Sequence, residues 1–141
     1  HWKVLKNNQV TTERRSPNLI GNKPLLVLVN EDTRSASEML AGALRDNGRA
    51  MVIGKQTYGK GVLQDTFRIS DRHAVKVVTA RYFLPLGSNI HEKGLAPDIE
   101  LSGSSQAQLN RAAQLLSSAI TEAHSSGRRV LAVIEQTGAR L

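Results

Sequence analysis

Residues 25–53 read LLVLVNEDTRSASEMLAGALRDNGRAMVI. Five consecutive apolar residues at 25–29 are typical of a strand that is buried on both faces. Residues 35–46 then change to a helical spacing of apolar side chains, and Asn47-Gly48 supplies a stop signal. A second short apolar run follows at 50–53. Strand, helix and strand in this order predict a βαβ unit with two parallel strands and a right-handed crossover.

The rest of the chain predicts a mixed α/β fold around this unit. Residues 62–69 and 74–84 are β-rich and flank Ser70-Asp71-Arg72, which predicts a hairpin. The other predicted elements are an edge strand at 2–10 with a turn at Asn7-Asn8, loops at 14–23 and 85–97, a helix at 106–124 and a last strand at 130–134. We divide the chain into an N-terminal strand and loop (1–23), a core (24–101) and a C-terminal helical extension (102–141).

Composition points to one globular domain. The chain has 141 residues, of which 40% are hydrophobic and 22% charged, enough to bury a core. No apolar run approaches the roughly 20 residues that cross a bilayer, so no transmembrane segment is predicted. Residues 1–20 lack the apolar segment of a signal peptide, and the chain begins at His1; we therefore expect a processed or truncated piece. The absence of cysteine excludes disulfides and leaves the compartment open.

The net charge is +7, which is compatible with nucleic acid, an anionic membrane or acidic substrates as partners. The basic residues are scattered, however, and form dense pairs only at Arg14-Arg15 and Arg128-Arg129. Aromatic residues make up 4% of the chain, too few for a base-stacking platform. A basic nucleic-acid-binding domain is therefore the least favoured alternative, and we expect no nucleic-acid partner.

Ser35 can be interpreted in two ways. Ser35-Ala-Ser-Glu38 matches a capping box, in which the serine and Glu38 satisfy free N–H groups of the first helical turn. The same position, between a buried strand and a helix N-terminus, also gathers N–H groups that can stabilise an oxyanion. A cap and a nucleophile are compatible, because Glu38 can cap the helix while Ser35 attacks.

Lys60 lies in the glycine-flanked segment Tyr58-Gly-Lys-Gly61, 25 residues after Ser35. An ordinary lysine in such a loop is a solvated surface charge. A lysine held neutral by apolar neighbours can instead accept the proton of a serine hydroxyl. Gln64 is uncharged and able to form hydrogen bonds, so it can orient the amine without adding a negative charge. These residues suggest a Ser-Lys pair.

Other chemistries fit less well. Residues 54–60 match the start of a phosphate-binding P-loop, but Gly61 stands where the magnesium ligand would be and no helical pattern follows. None of the four histidines lies in a motif that would pair it with Ser35, and there is no Gly-x-Ser-x-Gly elbow. No His or carboxylate cluster has metal-ligand spacing. We expect no metal or organic cofactor.

Residues 24–99 resemble the carboxyl-terminal processing proteases, a family of tail-specific serine peptidases with a Ser-Lys dyad. The resemblance covers a little over half the chain, with its blocks in family order and spacing. The matching blocks are LLVLVN at 25–30, SASE at 35–38, AGALRDNGRA at 41–50, TYGKG at 57–61 with Gln64, TARY at 79–82 and KGLAPDI at 93–99. It implies a crotonase-like or Clp-like α/β spiral core, of which residues 24–101 would be the C-terminal half.

The resemblance also implies roles for single residues. Ser35 matches the nucleophile, Lys60 the general base and Gln64 the residue that supports the lysine. The amide of Ala36 would be one oxyanion donor. Glu38 and Asp46 fall on positions that the family keeps near the site, with structural or supporting roles. The substrates would be C-terminal tails of proteins, and the location an exported one, either the periplasm and cell envelope or the thylakoid lumen.

The chain also departs from the family pattern. Asp32, Thr33 and Arg34 stand where the family often has glycine and small residues, and Lys55 stands where it often has glutamate. A PDZ domain and an upstream segment with a second oxyanion donor have no counterpart here, so we expect them in the full-length protein. We therefore predict a serine-type endopeptidase that is inactive as this fragment. A non-catalytic remnant or interaction module of the same fold is the alternative.

Overall fold

The computed structural model describes residues 2–7, 9–13, 21, 23–131 and 134. Its elements are, in chain order, β1 (Trp2–Lys6), β2 (Gln9–Glu13), β3 (Leu26–Val29), α1 (Ala36–Asp46), β4 (Met51–Gly54), β5 (Val62–Arg68), β6 (Ala74–Phe83), β7 (Ile99–Glu100) and α2 (Ser105–Ser126). The fold is mixed α/β, as predicted, with a parallel and an antiparallel sheet and a C-terminal helix.

The parallel sheet has the order β3-β4-β7 and contains the predicted βαβ unit, in which α1 connects β3 to β4. Side chains of β4 alternate between two apolar clusters. Met51 and Ile53 pack in the cluster that includes α2, whereas Val52 packs in the cluster that includes α1. The two helices therefore cover opposite faces of the sheet, as expected for buried parallel strands.

Burial on both faces, predicted for the run at 25–29, holds for β4 rather than for β3. All four residues of β4 are buried, while β3 lies at the edge of the sheet and Leu28 is 37% exposed. An apolar run predicts a strand, but the position of that strand within the sheet depends on pairing across distant residues.

The antiparallel sheet has the order β2-β1-β6-β5. The segment predicted as one edge strand at 2–10 is instead a hairpin of β1 and β2, joined after Lys6 by a turn in which Asn7 has φ 50°. The predicted hairpin of β5 and β6 is confirmed and contains a bulge between Leu63 and Gln64. Asn8 of the predicted turn lies outside the described residues.

The helices begin and end where the sequence predicts, within two residues. The predicted capping box opens α1, and Ser104 caps α2, which ends at Gly127 with φ 66°. The helical spacing of apolar side chains at 35–46 corresponds only in part to burial, because Leu40 is 61% exposed. The face that is buried contains Glu38, Met39, Ala41, Gly42 and Ala43.

The last predicted strand, at 130–134, is wrong where the structure describes it, because Val130, Leu131 and Ile134 have helical backbone. The periodicity of a short apolar run alone does not distinguish a strand from a helical segment. Part of the predicted loop at 14–23 lies outside the described residues, in 14–20 and 22. Within the described ranges, no helix combines the length and apolarity needed to cross a membrane.

Candidate active site

Ser35 lies on a strained turn between β3 and α1. Its backbone dihedrals are φ 57° and ψ −121°, a region that residues with a side chain rarely adopt. Such conformations cost about 1–3 kcal/mol and persist only where surrounding contacts hold them. The turn places a half-buried serine at the N-terminus of α1 without the glycines that usually flank such a turn. No sequence pattern indicates this strain, since the residue is serine and its neighbours are not glycine.

The turn before Ser35 is braced by Asn30 and Thr33. The Thr33 amide donates to the Asn30 carbonyl oxygen at 2.9 Å, and the Asn30 amide donates to Thr33 Oγ1 at 3.0 Å. The Thr33 hydroxyl also donates to Asn30 Oδ1 at 3.2 Å. This network ends β3 sharply and fixes the entry of the chain into the Ser35 turn.

The carboxylate of Glu38, which has no exposed surface, accepts four hydrogen bonds. Oε2 accepts the backbone amides of Ser35 and Lys60, each at 2.8 Å. Oε1 accepts the Gly59 amide at 2.7 Å and the Thr57 hydroxyl at 2.5 Å. A buried carboxylate is tolerated when donors surround it in this way. Glu38 therefore caps α1, as predicted, and in addition binds the Ser35 turn to the loop that carries Lys60.

Thr57 extends this network into the core. Its hydroxyl, besides donating to Glu38, accepts the Leu95 amide at 2.6 Å. Thr57 is 5% exposed, so the loss of either partner would leave a buried polar group unsatisfied. Thr57 lies in the matching block TYGKG, but the resemblance implies no role for it. Its position beside a glycine-rich turn is the only sequence signal that would have pointed to it.

Residues 55–61, which connect β4 to β5 and carry Lys60, form the lysine loop. Its backbone lies in close contact with residues 90–95. A Cβ at Gly94 would lie 2.2 Å from the Thr57 carbonyl oxygen, and a Cβ at Gly59 would lie 2.8 Å from the Gly94 nitrogen. The Glu92 amide donates to the Gly59 carbonyl oxygen at 2.8 Å. A second contact, from the Tyr58 amide to the Thr33 carbonyl oxygen at 3.0 Å, joins the loop to the Ser35 turn. The loop is thus fixed on both sides of Lys60.

Lys60 itself is half-buried. Across the described part of the chain, no acidic side chain forms an ion pair with it; its only contact with a carboxylate is through its backbone amide. The carbonyl oxygen of the next residue, Gly61, accepts the Tyr82 amide at 2.9 Å. Burial raises the pKa of the Tyr82 phenol, and the charge of Asp65 raises it further, so this neighbour of the loop is neutral at neutral pH.

The other predicted site residues are not all brought together. Ala36 is the first residue of α1, and its amide has no hydrogen-bond partner among the described residues. Gln64 is exposed on β5, directly after the bulge. Asp46 is the last residue of α1, about 15 Å along the helix from Ala36. There its carboxylate accepts the Leu86 amide at 3.1 Å. Asp46 therefore holds the loop after β6 at the end of α1 that is far from Ser35.

The residues that depart from the family pattern form contacts of their own beside the site. The Arg34 guanidinium lies 4.7 Å from the centre of the Tyr58 ring and forms an ion pair with Asp32 at 3.5 Å. Lys55 forms an ion pair with Glu31 at 3.1 Å. A hydrogen bond from the backbone amide of Glu31 lowers the pKa of its carboxyl, and Lys55 adds to the effect. The Arg34–Tyr58 contact and the Lys55–Glu31 ion pair connect the Ser35 turn to the lysine loop at the surface.

His91 is a neighbour of the lysine loop that the sequence did not indicate. Its backbone nitrogen would lie 2.7 Å from a Cβ at Gly61, so the backbone segments at these two residues are in direct contact. Its Nδ1 is buried and, among the described residues, has no hydrogen-bond partner. His91 and Thr57 are the polar groups near Lys60 that sequence reasoning missed.

Comparisons with known proteins identify the family of the chain. The family model for peptidase family S41 matches residues 3–101. A carboxyl-terminal-processing protease of Synechocystis sp. is 39% identical over 132 residues, which are 85% of this chain and 31% of that protein. The chloroplastic carboxyl-terminal-processing peptidase 2 of Arabidopsis thaliana is 52% identical over 77 residues, which are 55% of this chain and 15% of that protein.

A solved structure supports the same relationship. The photosystem II D1 C-terminal processing protease superposes with a TM-score of 0.55 and 42% sequence identity over 62% of this chain and 24% of that one. The chain thus spans about a third or less of the length of these relatives. The family match covers most of the chain, including the Ser35 turn and the lysine loop. The chain belongs to peptidase family S41.

Proposed function

We propose that this chain is part of a serine-type peptidase that cleaves near the C-terminal tails of protein substrates through Ser35 and Lys60. The observation that carries the proposal is the shared acceptor: the amides of Ser35 and Lys60 both donate to Glu38 Oε2 at 2.8 Å. The two amide nitrogens can therefore lie no farther apart than twice that distance. Side chains that leave the backbone from two points so close together can reach one another.

In the proposed mechanism Ser35 Oγ attacks the carbonyl carbon of the scissile peptide bond while Lys60 Nζ takes the hydroxyl proton. The tetrahedral oxyanion is stabilised by the free amide of Ala36 at the positive end of α1. As the C–N bond breaks, Lys60 gives its proton to the leaving amine and an ester forms on Ser35. Water then attacks the ester, with Lys60 taking its proton, and releases the new carboxyl terminus and Ser35.

Two features of the site support these roles. Lys60 is half-buried and has no acidic partner among the described residues, so no ion pair holds its amine away from Ser35. The strained Ser35 backbone resembles the sharp turn by which other hydrolases present a nucleophilic serine. We retain Gln64 as the residue that supports Lys60; the bulge beside it would let its side chain turn toward the amine.

We also propose how the chain relates to the whole protein. Residues 24–101 form the C-terminal half of a catalytic core of the crotonase-like or Clp-like spiral type; segment 1–23, which contains the β1–β2 hairpin, precedes it, and a helical extension at 102–141 follows it. An upstream segment supplies a second oxyanion donor, and a PDZ domain delivers the substrate tail. Without them the isolated chain is inactive. We place the protein in an exported compartment; the chloroplastic relative supports this.

The test is fluorophosphonate labelling and cleavage of a peptide tail by the full-length gene product. Ser35→Ala and Lys60→Ala should each abolish labelling. Ser37→Ala and Lys93→Ala are matched controls, because both residues are exposed and lie close to the site, and each should keep at least half of the wild-type rate. Full labelling of either Ser35→Ala or Lys60→Ala would contradict the dyad. Absence of labelling in the wild-type gene product would favour the non-catalytic remnant.

A further inference from the structure

A second polar site lies at the opposite end of α1 from Ser35. It is a cavity of about 720 Å³ beside Pro24 and Met51, which stand at the N-terminal ends of β3 and β4. Ser35 follows the C-terminal end of β3, so the full length of the strand and of α1 separates the cavity from the proposed nucleophile. Its volume is in the range of small-molecule sites. We refer to it as the basic pocket.

The lining of the basic pocket is strongly cationic. It includes five basic residues and a single carboxylate: Lys23, Arg45, Arg49, Arg128, Arg129 and Asp98. The Asp98 carboxylate is engaged elsewhere, since Oδ2 accepts the Val52 amide at 2.8 Å inside the sheet. Its single negative charge remains, but five basic residues outnumber it, so the described lining carries an excess of positive charge.

Two of the five cations have acidic partners outside the cavity. Arg45 pairs with Asp46 at 3.3 Å and donates to the Ala96 carbonyl oxygen, and Arg128 pairs with Glu122. Lys23, Arg49 and Arg129 have no acidic partner in the described part of the chain. These three are the cations available to a ligand.

Arg49 gives a more specific indication. Its Nη2 donates to the Gly21 carbonyl oxygen at 3.0 Å, which holds the guanidinium in place. Its Nε is buried and, among the described residues, has no acceptor. A buried charged donor without an acceptor is costly and rare in native proteins. The buried Nε is closed to a ligand, but Arg49 lines the pocket, and the planar Nη donors of its anchored guanidinium can bind an oxyanion there.

We propose that the basic pocket binds a multiply charged phosphate group, held by Arg49, Lys23 and Arg129. The excess of unpaired cations favours a group with more than one negative charge, and arginine favours its planar, bidentate recognition. The cavity is larger than one phosphate needs, which leaves room for an organic part. This site is separate from the proposed peptidase chemistry and does not depend on it.

The test is calorimetric titration of the protein with pyrophosphate at constant ionic strength. The wild type should bind one pyrophosphate with saturation. The double variant Lys23→Gln/Arg129→Gln should lose about tenfold or more in affinity. Arg49→Lys, which keeps the charge but removes the planar guanidinium donors, should also weaken binding. The control is Arg72→Gln/Lys76→Gln, which removes the same charge from the exposed end of the β5–β6 hairpin and should bind within about twofold of wild type.

Thermal melts of all variants would show that each is folded, and Arg49→Lys gives a readout at unchanged net charge. Absence of saturable binding to the folded wild type, or an equal loss in the two double variants, would overturn the proposal. A parallel titration with ADP separates two sources of the phosphate group. Binding at least as tight as that of pyrophosphate assigns a phosphate ester, and weaker binding assigns a free oligophosphate.

Discussion

The backbone amides of Ser35 and Lys60 donate to the same atom, Oε2 of Glu38, each over 2.8 Å. One buried carboxylate thus fixes the proposed nucleophile and the proposed base relative to each other, while its second oxygen holds the lysine loop through Thr57 and Gly59. Ser35 stands on a strained turn, and strain of this kind requires rigid support. Glu38 therefore determines the relative position of Ser35 and Lys60 as much as the parallel sheet does.

We expect Glu38→Gln to destabilise the protein by about 2 kcal/mol or more. Glutamine has nearly the same shape, but its NH2 group would face donors in place of one carboxylate oxygen, and at least one buried donor would lose its acceptor. The measurement is urea unfolding of the two proteins. Glu92→Gln is the control, because that side chain is 86% exposed, and it should change stability by less than about 0.5 kcal/mol. Equal unfolding midpoints for Glu38→Gln and wild type would contradict the structural role of the carboxylate.

Thr57 tests the connection between the carboxylate and the core. Thr57→Val removes a hydroxyl that donates to Glu38 and accepts from the Leu95 amide, so we expect a loss of about 2 kcal/mol. Thr57→Ser keeps the hydroxyl and loses only a methyl group, for a loss of about 1 kcal/mol. Thr66→Val on exposed β5 serves as the matched control and should be close to neutral. If Thr57→Ser were as unstable as Thr57→Val, packing of the methyl group and not the hydrogen bonds would explain the effect.

Local patterns predicted the fold where the contacts are local. The strand-helix-strand unit, the β5–β6 hairpin and both helices follow from apolar spacing, caps and turn residues, which act over a few positions. The edge position of β3 and the pairing of β1 with β6 depend on residues far apart in sequence, and no local pattern encodes them. The incorrect prediction of a strand at 130–134 shows the same limit, because a short apolar run is compatible with a strand or with a helix.

The candidate site was predicted in part for the same reason. Ser35 and Glu38 were identified together as a capping box, which is a local motif. The three donors that Glu38 receives from the lysine loop are 19 to 22 residues away, so its larger role required the folded chain. The backbone strain at Ser35 was equally hidden, because glycine is the usual sign of a positive φ and this position has a side chain.

Alanine substitutions at two glycines distinguish the free-energy cost of close packing from that of backbone strain. Gly94 and Gly87 both have positive φ, 73° and 94°, but only Gly94 has a neighbour that a Cβ would strike, the Thr57 carbonyl oxygen at 2.2 Å. Both alanine variants bear the conformational cost, and Gly94→Ala must also displace the lysine loop. We expect Gly94→Ala to be less stable than Gly87→Ala by at least about 1 kcal/mol in thermal unfolding. Equal losses would mean that the two loops are less closely packed than this structure shows.

Ser35 offers the most direct test of strain at the proposed nucleophile. Glycine adopts φ 57° without steric cost and is an acceptable helix cap, so we expect Ser35→Gly to gain about 1 kcal/mol over wild type. Ser35→Ala keeps the strain and loses the cap, so it should be less stable than wild type by a similar amount. Both variants should lack fluorophosphonate labelling in the full-length gene product.

The control for these two variants is Ser37→Gly, at the second residue of the same helix. There the backbone is already helical, so glycine should destabilise by about 0.5–1 kcal/mol and leave labelling intact. Stability is measured by urea unfolding, with the order Ser35→Gly, wild type, Ser35→Ala expected from the most to the least stable. If Ser35→Gly proved less stable than wild type, the serine side chain would contribute more to the fold than its backbone conformation costs, and the strain would not be held for catalysis.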